Sequence, residues 1–211
     1  MTGRIAEKTI EAYLDELASD APTPGGGAVA ALAGAAGAAL ISMVCNLTIG
    51  KQGYEEAEER MTGILTAAEA ARTVLLELAD RDATAFDGVM TAFKMPKETD
   101  AEKAVRSRAI QESYLSAAVV PLDIARRAAE LMELARETTE IGNAAAASDG
   151  ACAAQALSSS VWSATYNVEI NAAALKDAEK AQALRDEVSA LRAHAKALLD
   201  ATNAAFGSRL G

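Results

Sequence analysis

Between Ala21 and Gly50 the chain carries no charged residue, and from Ala28 to Cys45 every residue is apolar or small except Ser42. A helix that is apolar all round has to be enclosed, either by protein or by membrane. The run approaches the ~20 residues that a bilayer span needs. Its make-up favours protein. Alanine and glycine dominate it, three glycines precede it, and Asn46 and Thr48 close it. No aromatic belt or basic cluster flanks its entry side. The segment therefore reads as the central buried helix of a bundle, and no membrane association is expected.

The rest of the chain supports an all-α fold. Half of the 211 residues are apolar but only 4% are aromatic, and alanine supplies much of the apolar share. Alanine is the best helix former and fills little volume, so such a chain favours helices in close approach. Ile10, Leu14 and Leu17 recur at helical spacing over Thr9–Ala18. Pro22 to Gly27 breaks that helix before the apolar one, which spans about 28–48. A long helical pattern follows from about Tyr54 to Phe93 and stops at Pro96. Thr99 and Glu102 have capping-box spacing. Pro121 is expected to end or kink the next helix. Ile141-Gly142-Asn143 reads as a stop, and Ser148-Asp149 as the N-cap of a helix reaching about Asn171. The last helix is expected over 177–206, with a stripe of Leu184, Val188, Leu191, Ala195, Leu198, Thr202 and Ala205. The expectation is one domain, 1–211, built as a bundle of five to seven helices, some long.

A net charge of −10 makes nucleic acid an unsuitable partner, since that binding depends on Lys and Arg neutralising phosphates. Cys45 and Cys152 lie in small or apolar surroundings without metal-ligand spacing, so both are expected to be reduced and buried, and no metal site is expected. No basic leader with a cleavage site opens the chain, which points to a cytoplasmic location.

Asp82 is the most informative single residue. The inward stripe of its helix runs Leu75, Leu78, Asp82, Phe86, Val89, Phe93, with steps of three or four. A carboxylate in place of a core Leu is costly unless paired or protonated. Burial raises its pKa, which suits a general acid or base; a structural Asp bonded to a neighbouring helix fits the pattern equally well. Asp80 and Asp87 lie off the stripe and read as solvated. Pro24-Gly25-Gly26-Gly27 opens a helix whose N-terminus can hold an anion or a polar ring, or can simply be a flexible start. Asn167 and Asn171 share a face and suit either a ligand with amide edges or interhelical hydrogen bonds. His194, the only histidine, sits beside a contact stripe and reads as non-catalytic. Arg106, Arg108, Arg126 and Arg127 read as solvated surface.

Taken together, these segments resemble one family. Ala21-Pro-Thr-Pro-Gly-Gly-Gly27, Ser42 to Lys51 with Asn46, and Tyr54 look like the signature of the formiminotransferase-cyclodeaminase C-terminal family. Asp82 to Phe86, Lys94-Met-Pro-Lys97, Val120-Pro121-Leu122, Gly142-Asn143, Ser148-Asp149 and Asn167 to Asn171 follow at its spacing. The resemblance covers nearly the whole chain and is strongest to the standalone bacterial methenyltetrahydrofolate cyclohydrolases.

It implies reversible hydrolysis of 5,10-methenyltetrahydrofolate to 10-formyltetrahydrofolate in one-carbon metabolism, with Asp82 as the catalytic residue. The alternatives are a formiminotetrahydrofolate cyclodeaminase, which releases ammonia, and a non-catalytic helical scaffold or folate binder. Substrate binding is expected from Pro24, Gly25, Gly26, Gly27, Asn46, Tyr54, Asn143, Asp149, Asn167 and Asn171. Lys51, Lys94 or Lys97 is expected to hold the glutamate tail. No cofactor beyond the tetrahydrofolate substrate is implied, and a homodimer with its cleft near the subunit contact is expected.

Overall fold

The computed structural model describes residues 4–210. Among these it contains six α-helices: α1 (Ile10–Leu17), α2 (Gly26–Asn46), α3 (Glu58–Phe93), α4 (Asp100–Ile141), α5 (Ala147–Ala173) and α6 (Ala178–Arg209). Short 3-10 turns precede α1, α3 and α5. The four helices α2 to α5 form the core bundle, with α2 and α4 on its diagonal, and α6 packs on α4 and α5.

The apolar run is indeed the centre. Twelve positions of α2 are buried, including Ala28, Ala31, Ala38, Ile41 and Cys45. Its small side chains let neighbouring backbones come near. A Cβ on Gly37 would meet Leu157 Cγ at 2.6 Å, and one on Gly34 would meet Ser160 Oγ at 2.9 Å. Ser160 Oγ in turn donates to the Ala30 carbonyl at 2.7 Å, tying α5 to α2. The long helices α3 and α4 run antiparallel, joined by a turn that ends in the expected capping box at Thr99 and Glu102.

Several expectations need correcting. Pro121 neither ends nor visibly divides α4, which continues through it to Ile141. Proline leaves the carbonyl four residues earlier without its helical donor. Here the Asn171 side chain supplies a donor to that carbonyl, Ala117, at 3.2 Å. In α1 the first two residues of the expected stripe face outward, Ile10 80% exposed and Leu14 51%, while Leu17 packs on the core and Tyr13 is buried at 9%. The rotation of α1 is set beside Ile5, whose backbone N–H is anchored on Asp80 at 2.8 Å. Asp80, which also pairs with Arg4 at 3.5 Å, is therefore a structural acceptor rather than a solvated one. Ser148 and Asp149 do not cap α5. Asn143 caps the preceding 3-10 turn through Ala145 N, and Asp149 lies within the first turn of α5. Cys45 is buried as expected, but Cys152 is exposed on the outer side of α5.

Candidate active site

The N-terminus of α2 meets the middle of α3 because α2 and α3 run antiparallel from a shared turn region. Gly27 is the contact point. A Cβ there would fall on the Asp82 carboxyl group. Only glycine lets the helix start lie against that carboxylate. Asp82 is half-buried, accepts a hydrogen bond from Ala28 N–H, and has its pKa raised by burial, which that bond only partly offsets. The positive end of the α2 dipole faces the same group. A carboxylate so placed remains ready both to take and to return a proton.

Asp82 opens into a cleft of about 540 Å³. Gly25 and Gly26 form one wall, Asn167 and Asn171 of α5 another, and Phe86, Val89, Met90 and Phe93 of α3 a third. Tyr114 of α4 closes the far side, edge-on to Phe93 with ring centroids 6.1 Å apart. The cleft is mainly apolar with a few convergent polar groups, the usual make-up of a small-molecule site.

Tyr13 lies behind Asp82. Its hydroxyl is buried and has no hydrogen-bond partner among the described residues. Burial pushes its pKa up, and the charge on Asp82 adds to that.

The site residues expected from sequence fall into two groups. Gly25, Gly26, Gly27, Asp82, Asn167 and Asn171 come together around the cleft. Lys51, Tyr54 and Asn143 assemble at the opposite end of α2, about 30 Å away given ~1.5 Å per helical residue. There Lys51 Nζ donates to Asn143 Oδ1 at 2.8 Å and lies 5.6 Å from the Tyr54 ring centroid. Tyr54 Oη accepts from Ala144 N–H, and Asn143 N–H donates to Thr48 Oγ1, both at 2.9 Å. Asn46 is exposed at this end of α2. Lys94 and Lys97 are exposed just past Phe93, near the rim of the cleft. Pro24 lies behind the glycine turn, in a separate charged hollow with Lys8, Asp80 and Asp87. Sequence reasoning did not single out Tyr13, Met90 or Tyr114. Tyr114 carries no local signal, because only the α3–α4 pairing brings it to Phe93.

Comparison with known proteins identifies the family. The family model described as formiminotransferase-cyclodeaminase matches residues 9–190. The chain is 46% identical to methenyltetrahydrofolate cyclohydrolase of Methylorubrum extorquens, over 90% of this chain and 92% of that one. It is 38% identical to formimidoyltransferase-cyclodeaminase of Sus scrofa, over 91% of this chain but 36% of that one. The crystal structure of formiminotetrahydrofolate cyclodeaminase from Thermotoga maritima superposes with a TM-score of 0.88 at 30% identity, covering 98% of this chain and all of that one. With the match running across nearly every helix, this chain belongs to the formiminotransferase-cyclodeaminase family.

Proposed function

We propose that the cleft hydrolyses 5,10-methenyltetrahydrofolate to 10-formyltetrahydrofolate, reversibly. The observation that carries this reading is a half-buried Asp82, with a raised pKa, lining a mainly apolar cleft of about 540 Å³. The similarity to a methenyltetrahydrofolate cyclohydrolase over almost the full length of both chains supports it.

The bridging carbon of the substrate is an amidinium and electrophilic. Asp82 takes one proton from water as the water oxygen bonds to that carbon. The bond from carbon to N5 then breaks, and Asp82 passes its proton to N5. The remaining hydroxyl proton leaves to solvent as the formyl carbonyl forms. Ionised Asp82 also offsets the substrate's positive charge. These steps ask only for a carboxylate and water, so no cofactor beyond tetrahydrofolate is part of the proposal.

Ring closure with loss of ammonia from formiminotetrahydrofolate is the second reading, favoured by the superposition on a cyclodeaminase. Ultraviolet monitoring of methenyl hydrolysis beside ammonia release separates the two. Asp82→Asn is expected to cost about 10²–10⁴-fold in turnover. Near wild-type turnover in that variant would remove Asp82 from the chemistry, whereas no turnover of either substrate by the wild-type chain would leave the scaffold alternative.

The cytoplasmic homodimer is the remaining part of the proposal. Val29, Met43 and Leu47 at α2 and Trp162, Tyr166 and Ile170 of α5 are large apolar side chains left exposed, and such groups gathered on one side of a protein mark an interaction surface. A two-fold pairing with the α2 helices antiparallel would bring the partner subunit's Lys51 toward the Asp82 cleft. Mixed and refolded Asp82→Asn and Lys51→Ala chains should then recover about a quarter of wild-type activity, because half the dimers carry one intact site. No recovery would confine each site to one chain.

A further inference from the structure

Pro121 and Asn171 are fifty residues apart in sequence and together set the polarity of the cleft. Pro121 has no N–H, so the Ala117 carbonyl lacks its helical donor. Asn171 Nδ2 donates to that carbonyl at 3.2 Å and to the Asn167 carbonyl of its own helix at 2.8 Å. Both hydrogens of the Asn171 amide are therefore committed. Backbone carbonyls only accept, so turning the amide over would set its oxygen against two carbonyl oxygens at once. The orientation is dictated by its surroundings. Asn167 is held in the same sense, with Nδ2 donating to the Ser163 carbonyl at 2.9 Å. Both residues line the cleft beside Asp82, and among the described residues neither Oδ1 accepts a hydrogen bond.

Building on the folate reading, we propose that Asn171 is a specificity-determining residue that meets the ligand only as an acceptor, so that the cleft selects a ring edge bearing N–H donors, the 2-amino edge of a reduced pterin. Asn167 Oδ1 adds a second acceptor to the same wall. A ligand presenting oxygen or ring nitrogen lone pairs there would meet two acceptors and lose its water without replacement. Pro121 takes part without touching the cleft, by keeping the Ala117 carbonyl vacant for the Asn171 amide.

Anaerobic calorimetry on the full chain tests this with two probes, tetrahydrofolate and its 2-desamino-2-methyl analogue, which keeps the size of the amino group but has no N–H at that position. Sites built to hydrogen-bond a donor reject analogues that lack it by large factors. The wild-type protein should bind the analogue at least about 10²-fold more weakly. In Pro121→Ala the new N–H can serve the Ala117 carbonyl along the helix and release one Asn171 hydrogen. That variant should keep its helix content by circular dichroism while discrimination falls to within about tenfold. Equal wild-type affinity for both probes overturns the inference and leaves the folate reading standing. Full discrimination in Pro121→Ala overturns the role given to Pro121. Failure of tetrahydrofolate itself to bind overturns the folate reading and this inference with it.

Discussion

Replacing Gly27 with Ala adds one methyl group where the structure has least room for it. The new Cβ would coincide with the Asp82 carboxyl group, touching its carbon and both oxygens. Ordinary contact between such atoms lies near ~3.5 Å, so the carboxyl must withdraw by on the order of 1 Å or rotate away from Ala28 N–H. A catalytic group misplaced by that much loses on the order of 10²-fold in rate. Overpacking costs about 1–3 kcal/mol, and the entropic gain of Gly→Ala returns about 0.4–1 kcal/mol. The net loss of stability should therefore be modest, at about 0–2.5 kcal/mol, and the protein should remain folded at 25 °C. Gly63→Ala is the control, because a Cβ there meets nothing on the outer side of α3. It should raise the melting temperature by about 2–4 °C per kcal/mol gained and leave turnover unchanged. The assay is methenyltetrahydrofolate hydrolysis followed in the ultraviolet, beside thermal melts of both variants. A Gly27→Ala protein with wild-type turnover would refute the placement of Asp82 against the α2 terminus.

Three further outcomes are expected. Burial raises the pKa of Asp82, so the native state holds its proton more tightly than the unfolded chain. The stability linked to this group is complete below the unfolded value of about 3.9 and is lost as pH rises through the folded one. Asp82→Asn should thus melt higher than wild type at pH 7, with the difference closing toward pH 4; the same difference at both pH values would contradict the cause assigned. Tyr13→Phe removes a buried hydroxyl that has no partner among the described residues; its melting temperature should be unchanged or higher, and a loss above about 1 kcal/mol would show that the hydroxyl is bonded. Asp80→Ala leaves the Ile5 N–H without its acceptor and should cost about 1–2 kcal/mol, whereas Asp80→Asn keeps an acceptor and loses only the half-exposed pair with Arg4, within about 1 kcal/mol; chemical denaturation ranks the two, and an equal cost would argue against the hydrogen bond.

What could be read from the sequence followed from local periodicity. The stripe through Leu75, Leu78 and Asp82 needs only the helical repeat, and the structure buries Leu75 and Leu78 with Asp82 half-buried between them and Val89. The capping box at Thr99 is local for the same reason. Pro121 was misread because its missing donor is visible in sequence, while the compensating amide of Asn171 belongs to another helix. The binding residues were named as one set although they occupy two ends of α2, because motif order along a chain says nothing of which end of a bundle each motif reaches. Tyr13 was passed over because the apolar spacing of Ile10 and Leu14 outweighed it, and the anchor that turns α1, Asp80 on Ile5, spans seventy-five residues.

The close approach of α2 to its neighbours also governs how this protein can drift over evolutionary time. On the enclosed faces of α2 the nearest atoms belong to other helices, so a larger side chain cannot be absorbed by a rotamer change alone. Variation is left to Val29, Ala36, Ala39, Met43 and Asn46, exposed positions three to seven apart that form one stripe along the helix. A saturation library across Gly26–Asn46 should therefore be permissive along that stripe and restrictive elsewhere. A sealed partner interface would close even that stripe, leaving α2 the slowest-changing segment of the chain.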